Sequence, residues 1–284
     1  MVANRKEKTQ MDYSGKSTVE NILESRGKIP HENIRKQKSA EEGGCGVTGF
    51  ISSVQIRGRH IYEPSRQMHN RGNGKGGGIA AVGLSADSAG VSQEVLDTHY
   101  LLQIALLKPE ILGNVESSNI DPFFKVHKAE KIQTVDDFRE VDGLEIKPPD
   151  VWRYFVRVKE DVPDRFISEN NLHDLDPQKA EDEFIYQNST RLNQQFYASQ
   201  GEQQAFVLSH GKNLMILKLV GYAEKVVDYY LLEDFKAHGW IAHQRYPTRG
   251  KGYGTPGERI LLAGCMKPWF ITVILQTIMQ SASI

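Results

Sequence analysis

The chain has 284 residues, 25% of them charged, and a formal net charge of -1. That length suits one large domain or two small ones, and the balanced charge excludes a broad basic field for nucleic acid or an acidic membrane face. Its 2 cysteines, Cys45 and Cys265, form no CxxC pair, which argues against a disulfide framework or a Cys-rich zinc site and fits a reducing compartment.

Residues 1–44 are polar and rich in Lys and Arg. They read as a leader or propeptide that buries little, with one short helix after the capping box of Ser17 and Glu20. The opening MVANRKEKTQMDYSGK lacks the apolar core of a secretory signal, so the expected location is cytoplasmic. From Cys45 the character changes. GVTGFISSVQIRG, with its β-branched residues, predicts a strand. The polar EPSRQMHNRGNGKGGG runs into a glycine-dense loop, and IAAVGL predicts a buried strand after it. SQEVLDTHYLLQIALL has apolar residues at helical spacing. VWRYFVRVKED alternates as a strand, and DPQKAEDEFIYQNSTRLNQQFY predicts a helix with Asp176 as N-cap and Pro177 in its first turn. QAFVLSHGKNLMILKLVG predicts a hairpin turning at His210-Gly211-Lys212-Asn213. YAEKVVDYYLLEDFKAHG predicts an amphipathic helix closed by Gly239, and WIAHQRYPT a strand ending at Pro247. Strands and helices come in pairs and not in strict βαβ alternation, which favours an α+β layered fold. The apolar run near the C-terminus is interrupted by Lys267 and Pro268, so no membrane helix is expected.

Three stretches could carry chemistry. Cys45 stands between glycines in GGCGVTGF. A thiolate is a strong nucleophile near neutral pH, and flanking glycines let a carbonyl substrate approach the backbone. The loop Arg71–Gly78 fits GxGxxG through Gly72, Gly74 and Gly77, but a strand follows it where a dinucleotide fingerprint needs a helix. In HQRYPTRG, Arg245 at a strand end can offer a planar fork to a carboxylate. Each has an ordinary structural explanation as well: a small buried residue, a flexible hairpin loop, a surface arginine. His238 and His243 straddle a helix end with no acidic partner near them, so no metal is expected.

Taken together and in this order, the three stretches resemble the class II glutamine amidotransferases, the N-terminal-nucleophile type. CGVTGF is similar to the family's CG-[IV]-x-G-[FI], NRGNGKGGGIA to its RG-x-x-G-x-G-x-A, and HQRYPT to its H-x-RY-[PS]-T. The likeness is strongest to the stand-alone amidotransferase subunit of archaeal-type glutamate synthase and covers residues 45–257 at the level of motif order. It implies a four-layer αββα sandwich of mostly antiparallel sheets. It implies that Cys45 attacks the side-chain amide of glutamine with its own free α-amine as base. Arg245 would hold the substrate α-carboxylate, Arg71 with Gly76 and Gly77 would shape the pocket wall, and Tyr246 and Thr248 would be pocket neighbours. No cofactor is implied in this chain. The implied partner is a flavin- and iron–sulfur-containing glutamate synthase subunit, with no nucleic acid and no membrane.

The chain departs from the family twice. Cys45 follows Gly44, so a free α-amine requires cleavage of that peptide bond. After HQRYPT the family expects AHPF and then VHNGD followed by an asparagine, which supply the oxyanion donors. Residues 258–284 read ERILLAGCMKPWFITVILQTIMQSASI instead. Read from the third base of each codon, ERILL permits AHPF, and the stretch from Met266 permits VHNGD and the asparagine at the expected spacing. A frameshift near Gly257 is therefore the expectation, making residues 258–284 an aberrant tail and the fold incomplete at its C-terminal end. The rival expectations are a non-catalytic remnant or regulatory subunit of the same fold, and a nucleotide-binding module built on the glycine loop and Lys75.

Overall fold

The computed structural model describes residues 45–197 and 202–245. The leader, the Ser17–Glu20 capping box, Tyr246, Thr248 and the tail 258–284 lie outside the described residues.

The described chain forms an α+β fold with two antiparallel four-stranded sheets. Sheet one has the order β1 (Gly46–Arg57), β8 (Lys236–Gln244), β2 (Gly77–Leu84), β7 (Leu214–Leu219). Sheet two has the order β4 (Phe124–Lys131), β5 (Asp150–Val158), β3 (Tyr100–Leu106), β6 (Ala205–Ser209). The helices are α1 (Tyr62–Arg66), α2 (Ala86–Ala89), α3 (Gln93–Thr98), α4 (Leu112–Val115), α5 (Asp161–Asn170), α6 (Pro177–Phe196) and α7 (Glu224–Tyr229).

Period-two alternation decides what each sheet face meets. In sheet two, Tyr100, Leu102, Ile104, Tyr154, Val156 and Val207 pack with Phe166 of α5 and Phe184, Ile185 and Leu192 of α6. Their neighbours Leu101, Ala105, Phe155 and Leu208 turn the other way. They join a cluster with Ile79, Ala81, Leu217, Trp240 and Ala242 of sheet one and Val226 and Val227 of α7. Ala80, Val82, Leu214, Ile216 and Ile241 occupy the remaining face of sheet one. Among the described residues, no helix is long and apolar enough to cross a membrane.

Several expected elements are present as read. The Asp176 side chain caps α6 by accepting from the Gln178 and Lys179 amides at 3.0 and 3.3 Å, and Pro177 opens the helix. β1, β2, β5 and β8 occupy the segments expected to be strands.

Three expectations are corrected. The helix over SQEVLDTHYLLQIALL is cut after Thr98, and Tyr100–Leu106 is the strand β3, buried along its whole length. It is central in its sheet and apolar on both sides, and such a run carries no periodicity of its own. The segments β6 and β7 are not one hairpin, because they enter different sheets. The Leu101 amide donates to Gly211 O (2.9 Å), which holds the turn on β3, and Gln103 Oε1 accepts from Ser209 Oγ (2.7 Å) and the Ile216 amide (2.8 Å). A buried side-chain amide thus joins the diverging strands. The long helix closed by Gly239 is the short α7. The chain takes a left-handed turn at Leu231 (φ 51°) and Gly239 lies inside β8. Trp240, fully buried, donates from Nε1 to Ile56 O at 2.9 Å and favours strand over helix there.

Candidate active site

β1, β8 and β2 end together at one edge of sheet one, and this brings the quoted motifs into contact. Gln244 pairs with Gly46 on one side and Gly77 on the other. One residue further out, the Arg245 amide donates to Gly76 O at 2.9 Å. Continuing the β1–β8 register by one step sets Cys45 opposite Arg245. Directly opposed residues share a face, with Cβ atoms about 5 Å apart. Cys45 is exposed and Arg245 half-buried. Arg71 closes the short helical turn His69–Arg71 beside them.

Gly46, which follows Cys45, and Gly77, at the end of the loop, are required by close packing. A Cβ on Gly46 would lie 2.9 Å from Arg71 Cβ and 3.1 Å from Met68 Cβ. A Cβ on Gly77 would lie 2.5 Å from the Ala223 amide nitrogen and 2.6 Å from Tyr222 C. Both glycines therefore admit a neighbouring segment onto the strand ends. Of the residues nominated from the sequence, Cys45, Arg71, Gly76, Gly77 and Arg245 are brought to this edge.

The two faces of the edge differ chemically. Residues 241, 243 and 245 alternate onto the face that carries Ile241. On it, His243 and Lys218 flank Gly78 from either side, both buried. Burial, with Arg245 and Lys218 as positive neighbours, lowers the His243 pKa to about 4, so the ring is neutral at physiological pH. The face shared by Cys45 and Arg245 thus continues past the neutral His243 to Lys218, both buried beside Gly78.

The opposite face carries Gln244, and with it a buried polar group not nominated from the sequence. Ser65 of α1, Glu224 of α7 and Gln244 are each at most 1% exposed. Ser65 Oγ donates to Glu224 Oε2 (2.8 Å), and Gln244 Nε2 donates to Ser65 Oγ (2.8 Å) and Glu224 Oε2 (3.1 Å). His69 Nε2 lies 2.7 Å from Glu224 Oε1, and its ring stacks on Tyr222 at 3.7 Å. These residues stand at unrelated spacings. The one local signal was their position beside quoted motifs: His69 precedes Arg71-Gly72, and Gln244 lies within HQRYPT.

Of the two histidines, His238 lies with its Nδ1 2.9 Å from Ser52 O, and His243 stands opposite Gly78 on β8. The glycine loop is followed by β2, and Lys75 pairs with Glu145 at 3.7 Å, both exposed. A cleft of about 530 Å³ between α5 and α6, lined by Phe123, Phe166 and Arg191, contains none of the nominated residues.

Among curated proteins, an uncharacterized protein of Archaeoglobus fulgidus is 27% identical over 213 residues, which is 74% of this chain and 48% of that protein. The chain thus spans about half the length of this relative. No protein-family model matches.

Proposed function

We propose that the chain is a class II glutamine amidotransferase domain, a glutaminase whose ammonia feeds a glutamate synthase-type partner. The observation that carries this reading is the meeting, at one sheet edge, of Cys45, the Arg71 turn, the Gly76-Gly77 strand start and Arg245. Two antiparallel sheets with helices packed on them support the four-layer N-terminal-nucleophile sandwich.

In this reading Cys45 Sγ attacks the side-chain amide carbon of glutamine. The α-amine of Cys45, freed by cleavage after Gly44, takes the thiol proton and passes it to the departing ammonia. Water then hydrolyses the γ-glutamyl thioester to glutamate. Arg245 holds the substrate α-carboxylate through a bidentate pair. The chemistry needs no cofactor in this chain, and the location proposed is the cytoplasm.

The sequence after Gly257, which departs from the family's AHPF and VHNGD motifs, favours a second reading: a member of the same fold that does not turn over. Glutamate release from glutamine, with Cys45→Ala as control, separates the two. The mass of the natively expressed chain is measured in parallel. Turnover in the chain beginning at Cys45, abolished by Cys45→Ala, supports the enzyme. Undiminished turnover in a chain whose Gly44–Cys45 bond is intact refutes the free-amine mechanism. Absence of turnover in the cleaved chain supports the inactive reading. Nucleotide binding by the glycine loop is tested by equilibrium titration with ATP or NAD against Lys75→Ala.

A further inference from the structure

We infer that Glu224 is a positioning residue: its buried carboxylate ties His69, Ser65 and Gln244 into one unit that sets where Arg71 and Arg245 present their guanidinium groups. The inference deepens the reading above and rests on it for the identity of the ligand.

A buried carboxylate is costly unless its oxygens are used. Glu224 is 1% exposed and both its oxygens are engaged: Oε2 accepts from Ser65 Oγ and Gln244 Nε2, and His69 Nε2 sits against Oε1. The orientation of the Gln244 amide follows from its partners. Its Oε1 accepts from the Ala223 amide at 3.0 Å, so Nε2 must face the carboxylate.

The unit acts on the site through two short links. Gln244 and Arg245 are adjacent in an extended strand, so their side chains leave opposite faces, and locking one fixes the direction of the other. Gln244 is also the residue paired to Gly46 and Gly77. The second link is the turn. His69 leads into Arg71 and Gly72, and a Cβ on Gly72 would lie 2.9 Å from Gln244 Cβ. The turn and the end of β8 are therefore pressed together, with Glu224 beneath both. Apolar residues of similar volume would stabilise such a position at least as well as a buried ionic group. A polar unit one residue from Arg245 therefore points to orientation.

The test compares the natively processed wild type, cleaved after Gly44, with Glu224→Gln processed in the same way, in two measurements. The first is hydrogen exchange at the amides of Arg71, Gly72 and Arg245, with β3 and β5 as reference. Loosening of the unit is expected to raise exchange at the three site amides about tenfold, the scale of one charge-assisted hydrogen bond, and to leave β3 and β5 unchanged. The second is inactivation of Cys45 by a glutamine analogue carrying a γ-diazoketone. The half-saturating concentration is expected to rise about tenfold with little change in the limiting rate, while alkylation by iodoacetamide, which needs no carboxylate clamp, stays the same. Unchanged exchange and unchanged half-saturation overturn the inference, as does a uniform rise that includes β3 and β5, which marks a merely structural group. If Glu224→Gln does not fold, His69→Asn at the partly exposed end of the unit takes its place, with the same expectations and the same overturning results. A wild type that reacts with iodoacetamide and never with the analogue defeats the glutaminase reading. The exchange result then decides the positioning role by itself.

Discussion

The packing of Gly77 against α7 makes the most direct stability prediction. In Gly77→Ala the new methyl group meets backbone atoms, at 2.5 Å from the Ala223 nitrogen and 2.6 Å from Tyr222 C, with Ala223 Cα at 2.7 Å. None of these is the end of a flexible side chain, so the start of α7 must move away from β2. Overpacking of this kind costs about 1–3 kcal/mol. The displaced Ala223 amide also loses its 3.0 Å hydrogen bond to Gln244 Oε1, which adds about 1 kcal/mol. The expected total is roughly 2–4 kcal/mol, a fall in Tm of about 4–16 °C for a domain of this size. Gly113→Ala is the control. Nothing lies within 4 Å of a Cβ there, and Gly113 is inside the short helix α4, where alanine is favoured over glycine by roughly 0.5–1 kcal/mol. Urea denaturation of the two variants beside the wild type reads both effects. A Gly77→Ala variant within 0.5 kcal/mol of wild type would show that the α7 contact on the strand end is wrong.

Three further outcomes are expected. Trp240→Ala removes a fully buried ring and its hydrogen bond to Ile56 O, and should cost about 3–5 kcal/mol by urea denaturation. His243 has a folded pKa of about 4, below its unfolded value near 6.5, so the unfolded chain takes up the proton first. Its neutral burial imposes no penalty above pH 6.5 and destabilises progressively between pH 6.5 and 4, to roughly 3 kcal/mol at the lower end. The difference in urea midpoint between wild type and His243→Gln, followed over that range, should carry this slope, and a difference independent of pH contradicts the assignment. Arg245→Lys keeps the charge and loses the fork. It should weaken protection of Cys45 by glutamine about tenfold or more, while iodoacetamide reactivity without glutamine stays within about twofold.

Local chemistry made some of the fold legible and left the rest hidden. The Asp176-Pro177 start of α6 could be read because the cap and the first-turn proline act within a few residues. β3 was misread because both its faces are buried, so Tyr100–Leu106 is an apolar run, broken only by Gln103, that suits helix and strand equally. The division of β6 and β7 between sheets leaves no local signal, and the Gln103 side chain that bonds to both comes from a strand more than a hundred residues earlier. α7 was overextended because nothing at Leu231 announces a left-handed turn, which glycine usually provides. At the candidate site the same limit applies. Cys45, Arg71 and Arg245 stood in short motifs with stated chemistry, whereas Glu224 gains its meaning only where α1, α7 and the end of β8 converge.

The most direct test of Cys45 as the glutamine-attacking group is mass analysis of the natively processed chain after incubation with the γ-diazoketone analogue of glutamine. Expected is one adduct on Cys45, in chains that begin at that residue, suppressed by excess glutamine and lost in Arg245→Ala. A Cys45 that accepts iodoacetamide yet stays unmodified by the analogue in chains already cleaved after Gly44 would contradict it.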